Sequence, residues 1–317
     1  MSDPLPPPRH VSDAARAMLA TPSAMPTPGY PAPDDINGWR AHVEAVDAAM
    51  EDMFPIDLAV LPVTVESDVI GGVPVFRAWP ASCADPHGRR VFLDMHGGAL
   101  VYFGGESCRR MAAFSALRVG MPIVSVDYRM PPDYPYPAGL DDCVAVYRTL
   151  LEDRSAGDIV IGGSSAGGNL AAATILKARD SGLPLPAGAV LLTPEVDLTE
   201  SGDSFATNQG SDCVLPASLM ALNRLYAGAA PLDEPYVSPV FGDFTAGFPR
   251  AFIQAGTRDL FLSNAINIHR ALRRANVEAH LHVWEAMPHG GFFGAPEDEE
   301  IAAEIQLFLA DCWRRPD

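Results

Sequence analysis

Ser165 stands at the centre of Gly163-Ser-Ser-Ala-Gly167, a G-x-S-x-G pattern in which small residues surround a hydroxyl. Residues this small tolerate a cramped turn that lifts the serine above the edge of a sheet, where its oxygen can attack a carbonyl carbon. Ser164 is also a hydroxyl, but only Ser165 holds the central position of the pattern. A serine is a poor nucleophile alone. It needs a base to take its proton, an acid to orient that base, and donors for the charge that develops on the attacked oxygen.

Each of these has a candidate. His96-Gly-Gly-Ala99 follows the apolar run Val91-Phe-Leu-Asp-Met95, and bare glycines there would let the amides of Gly97 and Gly98 approach an oxyanion. The amide of Ala166, next after the serine, would complete the hole. The plain alternative for His96-Gly-Gly is an ordinary strand-ending turn.

Eight histidines compete for the role of base. His10 and His42 lie in the amino-terminal stretch, His87 in a polar turn, and His269 among the arginines of a helix-like run. His280 and His282 alternate with apolar residues, as on a solvated strand face. His289, in the loop Met287-Pro-His-Gly-Gly-Phe-Phe293, falls where the chain order serine, acid, histidine puts a base. The acid expected between them is Asp259, in Thr257-Arg-Asp-Leu260 after the strand-like Arg250-Ala-Phe-Ile-Gln-Ala-Gly256. An aspartate there also suits the N-cap of the following helix. Glu195 and Asp197, after an earlier strand, are the alternative acids.

The elements that must position these residues alternate. Strands are expected over Val73–Trp79, Arg90–Met95, Pro122–Tyr128, Asp158–Ile161, Ala187–Leu192, Arg250–Gln254 and Glu278–Glu285. Helical patterns fall over Glu106–Val119, Ala138–Glu152, Ala166–Ser181, Leu262–Arg274 and Glu297–Trp313. Such alternation predicts a largely parallel sheet covered on both faces, with ligands at the carboxyl ends of the strands, and Ser165, His96, Asp259 and His289 all map to such ends. Upstream, Ile36, Trp39, Val43, Val46, Met50 and Met53 recur at helical spacing within Asp34–Phe54. A short helix is expected near Pro216–Tyr226. Tyr102, Phe103, Phe205, Phe292 and Phe293 are candidate pocket walls.

Taken in order, His96-Gly-Gly-Ala, Asp127-Tyr-Arg-Met-Pro-Pro-Asp133 with Tyr136-Pro-Ala-Gly-Leu-Asp-Asp142, Gly-Ser-Ser-Ala-Gly-Gly168, Asp259-Leu and His289-Gly resemble the hormone-sensitive-lipase group of α/β-hydrolases, chiefly bacterial carboxylesterases. The likeness runs from about Val63 to the carboxyl terminus. Two positions depart from it: Ala99 stands where the group usually has a third glycine, and Ser164 where it usually has Asp or Thr. The resemblance implies an α/β-hydrolase fold, a mostly parallel central sheet flanked by helices, under a helical cap. It divides the chain into a cap segment over 1–55, core over 56–197, a cap insertion over 198–230 and core over 231–317. It further implies hydrolysis of short-to-medium acyl esters of small molecules through an acyl-enzyme, with Ser165, Asp259 and His289 as the triad. Lactone hydrolysis, deacetylation and amide hydrolysis are alternatives on the same residues. A receptor that has lost its base is a further one, against which His289 and Asp259 speak. A related peptidase would need an additional domain.

The composition sets bounds. A chain of 317 residues has room for one large α/β domain and an accessory piece. A formal charge of −18 and a pI near 4.7 disfavour nucleic acid and anionic membranes as partners. Cys83, Cys108, Cys143, Cys213 and Cys312 lack metal spacing, and an odd count suits a reduced compartment. With a proline-rich start, no apolar signal core and no spanning stretch, a cytoplasmic protein is expected. Neither a metal nor an organic cofactor is expected; the partner is a small-molecule ester, with a homodimer left open.

Overall fold

The computed structural model describes residues 5–21, 29–53 and 57–314. Among them, eight strands form one sheet in the order β1-β2-β4-β3-β5-β6-β7-β8. The strands are β1 (Val63–Ile70), β2 (Val73–Pro80), β3 (Val91–Met95), β4 (Ile123–Val126), β5 (Ile159–Ser164), β6 (Gly188–Leu192), β7 (Ala251–Gly256) and β8 (Ala279–Trp284). From β4 to β8 every neighbouring pair is parallel, whereas β2 runs antiparallel to both β1 and β4. The inner strands β3, β4, β6 and β7 are buried along their whole length. That is why they read as continuous apolar runs instead of alternating ones.

Helices α3 (Glu106–Val119), α4 (Ala138–Asp153), α5 (Ala166–Asp180), α8 (Leu262–Arg274) and α9 (Pro296–Cys312) match the expected runs to within one or two residues. Two apolar clusters lie on opposite faces of the sheet. One joins α4, α5 and α8 to Leu93, Ile161 and Ile253; the other joins α3 and α9 to Phe92, Val160 and Phe252. Successive residues of one strand therefore serve opposite faces.

Strand β1 is absent from the expectations. Glu66, Ser67, Asp68 and Val69 are all exposed, so this edge strand lacks the buried face that would have marked it. Gly71 and Gly72, at φ 60 and 80, link Ile70 to its partner Val73 as a two-residue hairpin.

Outside the sheet, α2 (Ile36–Met53) occupies the expected amphipathic run, whose end at Phe54 lies outside the described residues. The insertion after β6 holds α6 (Ser204–Thr207) and α7 (Met220–Ala227), the latter starting four residues later than expected. Trp39 of α2 and Leu222 of α7 share a third cluster with Val101, Tyr102, Leu260 and Phe261. The first helix, α1 (Asp13–Ala20), goes elsewhere. Its Ala15 and the preceding Val11 join the α3 and α9 cluster behind the sheet, and the carboxylate of Glu297 accepts from Ser12 N and Oγ at 2.7 and 2.8 Å.

Candidate active site

Ser165 stands between β5 and α5 with φ 59 and ψ −123, a conformation costly for a residue with a side chain. Its neighbours hold it there. The Ser165 amide donates to Leu192 O at 2.8 Å, and its carbonyl accepts from Glu195 N at 3.1 Å. A Cβ on Gly163 would stand 2.4 Å from Met95 O and one on Gly167 only 1.9 Å from that same oxygen, so neither position admits a side chain. Ser164 turns its hydroxyl to that of Thr193 at 3.5 Å.

The loop after β3 closes over this turn. A Cβ on Gly97 would lie 3.6 Å from Ser165 Cβ, which makes the bare backbone of Gly97 a wall beside the serine. Gly98, at φ 126, could carry no side chain without meeting Tyr102 O at 2.3 Å. The amides of Gly97, Gly98 and Ala166 donate to no acceptor among the described residues. Ala99 takes the third position at φ 51 and Leu100 follows at φ 63, so the loop keeps left-handed backbone there without a third glycine.

Buried groups brace the loop from behind. His96 stacks on Tyr128 with centroids 4.1 Å apart and planes 10° apart, and Tyr128 donates its hydroxyl to His96 O at 2.8 Å. Burial pushes the His96 imidazole down to about 4, and its Nδ1 faces Gly97 O at 2.7 Å. A neutral ring there supports the loop without placing a cation under it. From α2, Asp47 accepts the Phe103 amide at 3.0 Å.

His289 and Asp259 meet each other directly. The imidazole Nδ1 donates to Asp259 Oδ1 at 3.0 Å; Asp259 is fully buried and His289 is 6 % exposed. That bond fixes the ring so that Nε2 is the basic nitrogen. Burial by itself would lower the imidazole, but Asp259, Asp212 and Glu195 outweigh it and hold His289 above its ordinary value. Asp259 Oδ1 also accepts the Phe261 amide at 2.9 Å, so it caps the turn into α8 as well as binding the histidine. The ring of Phe261 stands edge-on to His289 with centroids 4.8 Å apart.

Neither alternative acid bonds to His289. Asp197 accepts from Thr199 N at 3.0 Å and from Ser201 Oγ at 2.6 Å in its own turn. Glu195 is 1 % exposed, and its carboxyl oxygens have no hydrogen-bond partner among the described residues. Burial pushes it up to about 8, opposed by His289 and aided by Glu200.

Asp212 was not among the expected residues. It sits in the insertion after β6, accepting from Val214 N at 2.9 Å, Leu215 N at 3.1 Å and Leu260 N at 2.8 Å, while the His289 amide points at both its oxygens. Burial, then the charge of Asp259, push it up to about 6. Its only trace in the sequence is the polar run Asn208-Gln-Gly-Ser-Asp212.

The five candidate pocket walls divide. Tyr102, Phe103 and Phe205 share one apolar cluster with Phe261. Phe292 instead packs behind the sheet with Ile301 and Ile305, and Phe293 is 61 % exposed, so neither joins the other three. Flanking a loop histidine was insufficient reason to place them there, because the chain reverses at Gly290 and Gly291 and runs on into α9.

His96, Cys108 and Asp127 hold possible ligand atoms within 4.8 Å of one another. Burial raises the Cys108 thiol well above its ordinary value, and Asp127 accepts the Gly105 amide at 2.9 Å. A thiol kept protonated is a poor metal ligand, so the group reads as packing under the loop.

What the assembled residues offer is a hydroxyl on a strained turn, open amides beside it, and a buried imidazole oriented by a carboxylate. The family model of the α/β hydrolase fold matches residues 92–293, the span from β3 to the loop of His289. An acetyl-hydrolase of Streptomyces hygroscopicus is 33 % identical over 202 residues, 63 % of this chain and 67 % of the relative. An esterase of Acinetobacter venetianus is 30 % identical over 230 residues, 69 % and 74 % of the two chains. Among solved structures, the esterase E25 superposes with a TM-score of 0.87 at 36 % identity, covering 98 % of this chain and 97 % of its own. An esterase from the bacterial hormone-sensitive lipase family does so with a TM-score of 0.79 at 29 % identity, covering 95 % and 99 %. The chain belongs to the α/β-hydrolase fold family and, within it, to the hormone-sensitive-lipase group of carboxylic ester hydrolases.

Proposed function

We propose that the chain is a serine carboxylesterase acting on short-to-medium acyl esters of small molecules. Nε2 of His289 takes the proton of Ser165 Oγ as that oxygen attacks the ester carbonyl carbon. The carbonyl oxygen, now an anion, is held by the amides of Gly97, Gly98 and Ala166. Collapse breaks the ester bond, and the alcohol leaves with the proton from His289. Water, deprotonated by the same imidazole, attacks the acyl-enzyme, and a second collapse returns the proton to Ser165 and releases the acid. Asp259, hydrogen-bonded to Nδ1, stabilises the imidazolium.

The observation that carries this reading is the strained turn at Ser165 packed against the backbone of Gly97. We assign the cap to α2 with the insertion over 198–230, because their residues share a cluster with Tyr102, Phe103 and Phe205. Such a cover bounds the pocket and favours short acyl chains. The test is hydrolysis of p-nitrophenyl esters from acetate to palmitate, with Ser165→Ala inactive and Ser164→Ala retaining substantial activity. A maximum at long chains with activation at an emulsion interface would make the enzyme a lipase.

A further inference from the structure

The acyl-transfer scheme makes no use of Glu195. Its backbone is fixed beside the nucleophile turn, the amide donating to Ser165 O at 3.1 Å and the carbonyl accepting from Asn169 Nδ2 at 2.8 Å. Its carboxyl is 1 % exposed and lacks a hydrogen-bond partner among the described residues. A buried carboxyl in that condition is costly to fold around, and a ligand that brings donors removes the cost.

Its surroundings bear on which ligand would suit it. The charge of Glu195 acts on His289, on Tyr30 from the amino-terminal segment, and on Tyr226 of α7. Glu195 therefore lies within electrostatic reach of the base, of Tyr30 and of Tyr226 in the insertion. The buried hydroxyl of Tyr226 likewise has no partner among the described residues. The principal charges acting on Glu195 and His289 come from Glu200, Asp259 and Asp212, all acids, so the only cation of the group is the protonated imidazole itself. A site so charged repels anionic substrates and attracts cationic ones.

We propose that Glu195 is a specificity residue that binds a protonated amine of the substrate, so that the preferred esters carry a basic nitrogen a few bonds from the ester group. The inference rests on the carboxylesterase reading above. An ammonium group brings both the missing donors and the opposite charge, and the hydroxyl oxygen of Tyr226 supplies a second acceptor. Burial pushes the carboxyl up to about 8, and it gives its proton to solvent as the ammonium enters.

Two pairs of nearly isosteric esters test this: ethyl 6-aminohexanoate against ethyl heptanoate, with the charge on the acyl side, and 2-(dimethylamino)ethyl butyrate against 3-methylbutyl butyrate, with it on the alcohol side. Each kcat/KM is measured by acid release near neutral pH and divided by the rate of hydrolysis in hydroxide. In at least one pair the cationic ester is expected to lead by about tenfold or more, with the ratio falling to about one in Glu195→Gln. A ratio of one or less in both pairs overturns the proposal, as does a preference that survives in the variant. Hydrolysis of the neutral esters keeps the carboxylesterase reading standing in either case; if no ester of either pair is cleaved, both fall. Competitive inhibition of the unaltered protein needs no variant to fold. There, 5-amino-1-pentanol should inhibit more strongly than 1-hexanol, and equal or weaker inhibition contradicts the assignment.

Discussion

Asp212 takes the main-chain amide of His289 on both carboxylate oxygens, at 3.2 and 3.3 Å, across 77 positions of sequence. The same carboxylate accepts the Leu260 amide, immediately after Asp259. One side chain of the insertion thus ties the loop of the histidine to the turn of its acid.

Asp212→Asn keeps an acceptor in that place and removes a charge. The charges holding His289 up are those of Asp259, Asp212 and Glu195, opposed by burial. Losing one anion lowers the imidazole pKa, and because the neutral ring is the base, the acidic limb of kcat/KM against pH should move to lower pH. Turnover should also fall, by about 10- to 100-fold, as the loop loosens. A limb that stays put or moves upward would assign Asp212 a merely structural role.

The sequence carried the sheet, its flanking helices and the pairing of His289 with Asp259, because each rests on local signals: apolar runs, glycine turns and chain order. Asp212 was hidden because its bonds join residues far apart in sequence, and nothing in an isolated polar run tells which amides will arrive. Phe292 and Phe293 misled for the complementary reason. Adjacency to His289 in sequence says nothing about direction once Gly290 and Gly291, at φ 84 and 120, turn the chain away. Edge strand β1 escaped because a strand exposed on most of its residues has no burial pattern to read.

Asp259→Asn should lower turnover by about four orders of magnitude, since an amide favours the tautomer with the wrong nitrogen protonated. Burst and steady-state rates with p-nitrophenyl butyrate give the comparison. A near-normal rate in this variant, together with loss in Glu195→Gln, would transfer the acid to the end of β6.

Glu195 also leaves a mark on stability. Its folded pKa, about 8, lies above the unfolded value of 4.5. Between those values the unfolded chain gives up the proton and the folded chain keeps it, so stability falls as pH rises through this window and levels off above about 8. Glu195→Gln does not titrate. Its melting temperature relative to the unaltered protein should therefore rise between pH 5 and pH 8, by several degrees. Thermal unfolding across that range checks it; a difference independent of pH would mean that the carboxyl ionises normally in the fold.

Removing residues 1–20 should destabilise without changing chain-length preference. Val11 and Ala15 pack behind the sheet with α9, and the backbone oxygens of Leu5 and Pro6 accept from Arg258 at 3.1 and 2.8 Å. None of these contacts lies in the cluster of Trp39, Tyr102 and Phe205. A melting temperature lowered by several degrees, with an unaltered profile from acetate to octanoate, is the expected outcome. A shifted profile would bring the first helix into the cap.

In this mechanism Ser165, not its neighbour, carries the acyl group. Peptide mass spectrometry after inactivation with an alkyl fluorophosphonate measures this directly, because the reagent bonds to a serine only where a base and open donors activate it. One adduct per chain is expected, on Ser165, appearing in step with loss of ester hydrolysis. An adduct on Ser164, or full hydrolytic activity in protein modified at Ser165, would contradict it.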